Sequence, residues 1–223
     1  MRKLLTILFL LPAFLQAQTI MRFEATGSHY GSDGTFSTWT NTASSIKRPA
    51  HATGYKQSTT IASTTIAVDN SSGTATTCFA QFVSPALEAQ TISGTVTGYA
   101  RMSIANVTGA TVQSRVKITV IDKTGAVVAT LRAITSGASN LTTTLTSYQI
   151  LNAAALTSYS CALGDRLCIE IGIGRSAGTT ARNGTISFGT SSATDITAAG
   201  STTANNPVIT FSGNLTFYKG VPF

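Results

Sequence analysis

The chain has 223 residues, 10% of them charged, with 15 Lys or Arg against 8 Asp or Glu, a formal net charge of +7 and only 2 His. Hydrophobic residues at 43% and aromatics at 8% exclude the low-hydrophobicity, high-charge signature of disorder. Scarce acids, His and Cys argue against most catalytic and metal chemistry. The cations fall singly or in pairs such as Lys47-Arg48, without the dense basic patch of a nucleic-acid binder.

Met1-Arg2-Lys3 precedes an apolar run from Leu4 to Leu15, and Gln16-Ala17-Gln18 follows. This is the three-part layout of a secretory signal peptide, and cleavage would export the chain. The run is too short for a transmembrane helix, which needs about 20 residues. Two other readings stay open: residues 1–18 kept as an apolar anchor in an assembly, or translation starting at Met21.

Residues 19–60 read as a loop-rich N-terminal arm with a short strand near 20–25. Phe36 and Trp39 are its anchors. Tyr30, Trp39 and Tyr55 cluster here and are candidates for glycan contact by ring stacking, with core packing the competing role for Trp39. His29, Asp33 and His51 form the one grouping with metal-ligand chemistry. Their spacing matches no metal motif, so neither metal nor cofactor is expected.

From residue 61 the pattern is period two, as in strands. Strands are expected at 61–68 and at 76–83, the latter ended by Ser84-Pro85. In 91–104, Ile92, Val96, Ala100, Met102 and Ile104 share one face, interrupted by Gly94 and Gly98. In 115–121, Val116, Ile118 and Val120 face in while Arg115, Lys117 and Thr119 face out. Asp122-Lys123-Thr124-Gly125 then turns the chain into 126–134 as a hairpin.

Residues 141–151 read as a strand, and Leu151–Leu156 as one helical turn. After the turn at Gly164-Asp165, residues 166–173 place Leu167, Ile169, Ile171 and Ile173 on one face with Glu170 opposite; Gly172-Ile173-Gly174 reads as the strand's end. Asp165 shapes the turn, and Arg166 can pair with it or with Glu170. Strands at 184–189 and 208–218 complete the set. About nine or ten short antiparallel strands without a long helix define an all-β class, a single β-sandwich or jelly roll over residues 61–223.

The three cysteines are Cys78, Cys161 and Cys168. An odd count leaves one thiol over if pairing is internal. Cys161 and Cys168 can close a disulfide across the Gly164-Asp165 turn; burial as free thiols is the alternative. Asn-x-Ser/Thr occurs at Asn70, Asn106, Asn140, Asn183 and Asn214, but a Thr-rich chain produces such matches by chance and no glycans are assigned. Neither a GxSxG elbow nor a phosphate-binding loop occurs.

Three stretches carry a resemblance. The first is Gln81-Phe82-Val83-Ser84-Pro85 with Leu87 and then Ala89-Gln90-Thr91-Ile92-Ser93-Gly94-Thr95-Val96. The second is Gly164-Asp165-Arg166-Leu167 running to Glu170-Ile171-Gly172. The third is Ala204-Asn205-Asn206-Pro207 with Ile209 and Phe211-Ser212. In this order they resemble a family of largely uncharacterised β-sandwich proteins from tailed phages and environmental sequences. Its members often begin Met-Arg-Phe, here Met21-Arg22-Phe23. The resemblance covers roughly residues 21–212 and implies a virion or surface structural role, such as capsid decoration or a tail component. It implies no catalytic residues.

The expected function is therefore a non-enzymatic structural protein in a virion or outside the cell, partnered by copies of itself and by other structural proteins. Nucleic acid and transmembrane spans are not expected. The alternative is a secreted bacterial carbohydrate-binding or adhesion module with surface glycans as partners.

Overall fold

A computed structural model of the chain describes residues 18–23, 39, 41–42, 47–51, 62–67, 76–178, 180, 182–188, 194–203 and 206–219. The leader at 1–17 and His29, Tyr30, Asp33 and Tyr55 lie outside the described residues. Fourteen strands run in chain order among those described: β1 (Thr19–Phe23), β2 (Asn41–Thr42), β3 (Lys47–His51), β4 (Ala62–Ala67), β5 (Thr76–Ala86), β6 (Gln90–Ile92) and β7 (Thr95–Ile104). They continue as β8 (Ala110–Ile121), β9 (Val127–Asn140), β10 (Thr146–Ala155), β11 (Tyr159–Cys161), β12 (Arg166–Gly178), β13 (Asn183–Phe188) and β14 (Val208–Phe211).

The architecture is an all-β sandwich. In one layer β7 is flanked by β10 on one side and by β13 and β14 on the other. β13 continues to β4 and β14 to β1. In the other layer the order is β5, β12, β8, β9, all antiparallel. β3 joins the layers: Lys47–Pro49 pairs parallel to β5, and Ala50 and His51 pair with β1. The change of partner falls at Pro49, which has no N–H to continue a ladder. β6 and β11 form a separate two-stranded ribbon.

Alternation explains the core. The outer positions of β7 alternate with buried Val96, Ala100, Met102 and Ile104. They meet Val116, Ile118 and Val120 of β8, Leu167, Ile169, Ile171 and Ile173 of β12, and Phe211 of β14 in one cluster. Phe23 of β1 packs on Phe82 of β5 at a ring distance of 4.5 Å. Each buried Val, Leu, Ile, Met or Phe among them contributes roughly 1.5–3 kcal/mol relative to exposure.

The structure alters several expectations. The arm is not separate from the sandwich, because β1 and β3 are built into its sheets. The chain does not stop at Ser84-Pro85: β5 runs to Ala86, and the proline sits at a register shift against β12. There the Ser84 hydroxyl accepts the Leu167 N–H at 2.9 Å. Residues 151–155 are strand rather than helix, with Ala153 at φ 42° where β10 bulges against β7. Ser93-Gly94 breaks the expected 91–104 strand into β6 and β7, with Gly94 at φ 91°. Gly172 and Gly174 lie inside β12, not at its end. The last strand stops at Phe211.

Candidate functional site

Two places gather polar side chains. The first is the outer face of β5, β12 and β8. Arg115, Lys117, Thr119 and Glu170 point away from the core as expected, yet all are buried. Glu170 is the centre. Its Oε2 accepts the Trp39 Nε1–H at 2.9 Å and lies 3.6 Å from Lys117 Nζ; its Oε1 accepts from Gln81 Nε2 at 2.9 Å. Glycines make room for what covers this face. A Cβ on Gly172 would lie 2.8 Å from the Trp39 ring, and one on Gly174 would lie 2.6 Å from Arg115 Nε. Gly-x-Gly in a strand thus marks close approach.

Trp39, a candidate for glycan stacking, is 8% exposed and cannot present a platform; it belongs to this buried cluster. Arg166 reaches the Ser84 carbonyl at 3.3 Å. Asp165 shapes its turn by accepting the Ala162 N–H at 2.9 Å.

The cysteines are all free and buried. The proposed Cys161–Cys168 bridge is absent for a geometric reason. Cys161 packs in the main core, whereas Cys168 packs with Val83 and Ile121 in a small cluster on the other face of the sheet. Burial, helped by the charges of Glu170 and Cys168, pushes the Cys78 thiol well above its ordinary pKa. Burial and then the Asp165 charge push Cys161 up to about 11. At pH 8 a thiol of that acidity is about one part in a thousand thiolate, against about a quarter for a free cysteine. With all three thiols buried as well, iodoacetamide at pH 8 is expected to leave the native thiols unmodified and to label all three after unfolding, as read by intact mass. A Cys161 that is neutral when folded and ionised when unfolded also destabilises the fold as pH rises from about 9 toward 11.

The second place is a groove on the outer face of β1, β14 and β7, about 350 Å³ in volume. Pairing aligns its floor in rows. Val208 and Tyr99 form one, with Arg22 of β1 in register beside the groove; Ile20, Thr210 and Thr97 form the next. Ser212 and Thr95 make a third, joined by bonds of 2.9 Å from Ser212 N to the Thr95 carbonyl and from Thr95 N to Ser212 Oγ. One wall is the segment carrying Asp195, Ile196 and Thr197. It is pinned to Asn206 by two backbone bonds of 3.0 Å, and to Ser147 of β10, whose hydroxyl donates to the Ala198 carbonyl at 2.7 Å. Asp195 takes a bidentate bond from Arg22, at 2.8 and 2.7 Å.

Of the groove residues, Thr95 and Ser212 were named in the sequence as members of the resemblance motifs, but none was read as a binding residue. The signal was the outward parity of Thr95, Thr97 and Tyr99 opposite the buried Val96 and Ala100; what brings β14 and β1 alongside is tertiary. Among the described residues, no group of three or more His, Cys, Asp or Glu is placed to hold a metal, and no helix is long and apolar enough to cross a membrane. No protein-family model matches the chain, and no curated protein matches it.

Proposed function

We propose that the chain is a non-enzymatic structural protein of a virus particle or comparable surface assembly, acting as capsid decoration or a tail component through contact with its own copies and neighbouring structural proteins. One observation carries the reading: the motif residues behind the family resemblance are occupied with one another. Gln81 bonds Glu170, and the Leu167 N–H bonds Ser84 Oγ. The Leu87 N–H donates to the Asp165 carbonyl at 2.7 Å, and the Gly164 N–H to the Leu87 carbonyl at 3.0 Å. Those motifs hold two strands and a turn in register, as a scaffold requires.

The surface supports contact through faces and ends rather than strand addition. Edge strand β9 meets β8 with four register shifts, and a bulged edge is a poor template for a further strand. Of the exposed large hydrophobics, Leu163 and Val128 lie at the end of the sandwich where Arg166 pairs with Ile121. We place contact between copies there. The alternative of a secreted carbohydrate-binding module displaying Trp39 loses that platform, because the ring is buried against Glu170 on the outer face of the sheet.

Light scattering of the full chain at micromolar concentration tests the reading. A multimer of defined size is expected, and Leu163→Asp with Val128→Asp is expected to shift it toward monomer without lowering the melting temperature by more than a few degrees. A wild-type chain that stays monomeric overturns the proposal.

A further inference from the structure

We propose that the groove over β1, β14 and β7 binds a neutral oligosaccharide, whatever the chain's state of assembly. Its size suits such a ligand. Strands about 4.8 Å apart, with outward residues about 6.7 Å apart along each, give a floor of about 10 by 13 Å. A volume of about 350 Å³ is within the range of small-ligand sites.

The chemistry of the floor is that of hydroxyl recognition. Thr95, Thr97 and Thr210 on the strands and Ser212 just beyond β14 form a lattice of hydroxyls. Two of them are oriented by the backbone: Thr97 Oγ1 accepts the Ala153 N–H at 3.2 Å, and Ser212 Oγ accepts the Thr95 N–H. Each still has a hydroxyl hydrogen to donate. The Tyr99 phenol oxygen accepts from Gln149 Nε2 at 3.3 Å, which fixes its half-buried ring. With the half-buried Ile20 it supplies apolar surface for the C–H face of a pyranose. Such fixed groups bind with little loss of freedom.

Strain beside the groove supports a binding role independently. Ala153 is the one described non-glycine residue with positive φ, at 42°. Left-handed backbone at such a residue costs roughly 1–2 kcal/mol. Here it delivers the N–H that orients Thr97. Conformations of this kind persist where the surrounding structure holds them, often at ligand sites.

Charge and topology narrow the occupant. Among the described lining residues the one charged side chain is Asp195, and Arg22 is paired to it. The floor therefore presents no unopposed cation for phosphate, sulfate or a sialic acid. Strand addition by a peptide needs a free sheet edge, but β14 lies between β1 and β7, and β7 between β14 and β10. The backbone there is already paired, leaving side-chain hydroxyls as the recognition groups.

The test is an array of neutral hexose oligosaccharides with sialylated and sulfated counterparts, probed with the full chain. The strongest neutral glycan is then titrated against Tyr99→Ala and Thr210→Val. At least one neutral glycan is expected to bind, acidic versions no better, and each variant to weaken binding at least tenfold with the melting temperature retained. Thr210→Val nearly preserves shape and strand propensity, so it reports on the site even if Tyr99→Ala lowers stability. Absence of neutral-glycan binding, preference for acidic glycans, or unchanged affinity in the folded Thr210→Val variant overturns the proposal. Light scattering reads assembly separately, so the failure of either proposal leaves the other standing.

Discussion

Gly172→Ala is expected to cost more than about 4 kcal/mol, enough to leave little folded protein in a domain whose whole stability is about 5–15 kcal/mol. The added Cβ would lie 2.1 Å from the Thr77 carbonyl oxygen and 2.9 Å from Cys78 Cα. Both are backbone atoms of the neighbouring strand β5, so no rotamer change relieves the overlap. The register shift between Ile171 and Gly172 against β5 makes that approach so close. The Trp39 ring at 2.8 Å closes the remaining side. Gly200→Ala is the matched control. Its φ is 85° but nothing lies within 4 Å of the new methyl, so only the left-handed backbone term of about 1–2 kcal/mol applies. Urea unfolding of both variants checks the pair. Gly172 has no left-handed backbone, so a loss no larger than that of Gly200→Ala would mean that β5 yields to the methyl and that close strand approach does not govern Gly172.

What was legible in the chain was alternation. β8 and β12 were found, with the right residues facing in, because each buries one face against a sandwich core and a period of two shows this directly. The opposite parity says only that a residue leaves the core, not whether water meets it. Lys117 and Glu170 were therefore read only as facing out, and that parity did not show that both are buried. Trp39 carried the missing information, but its partner Glu170 lies 131 residues away. The Leu151–Ala155 segment was misread because Asn152 and three alanines carry weak strand preference; pairing to β7 overrides it. Beyond Phe211 the alternation continued in the sequence, but pairing there shrinks to a single bridge between Phe217 and Leu87, so no full strand forms. The groove was hidden for a related reason: its hydroxyls come from strands distant in sequence, and a threonine on a sheet face has no motif.

Lys117→Met is expected to destabilise the fold by about 3–5 kcal/mol, because it leaves the Glu170 carboxylate buried without its ammonium partner. Both side chains are nearly inaccessible, at 4% and 1% exposure, so water cannot replace what is lost. The carboxylate keeps its bonds from Gln81 and Trp39, but these were two parts of a three-part arrangement. Adding Glu170→Gln to Lys117→Met removes the stranded charge while keeping an amide oxygen for one N–H, and should recover most of the loss. The coupling between the two positions is then at least as large as the recovered part, about 2 kcal/mol or more. Trp39→Phe, which deletes one donor to Glu170 but keeps much of the ring, should cost about 1–3 kcal/mol. Chemical unfolding of wild type, both single variants and the double variant measures the cycle. Strict additivity would show that Lys117 and Glu170 act separately. Coupling that survives 1 M salt would place the pair out of reach of screening. The Gly172 trough, the Trp39 indole and the Glu170–Lys117 pair would then act as one device that fastens the N-terminal segment to the face of β12.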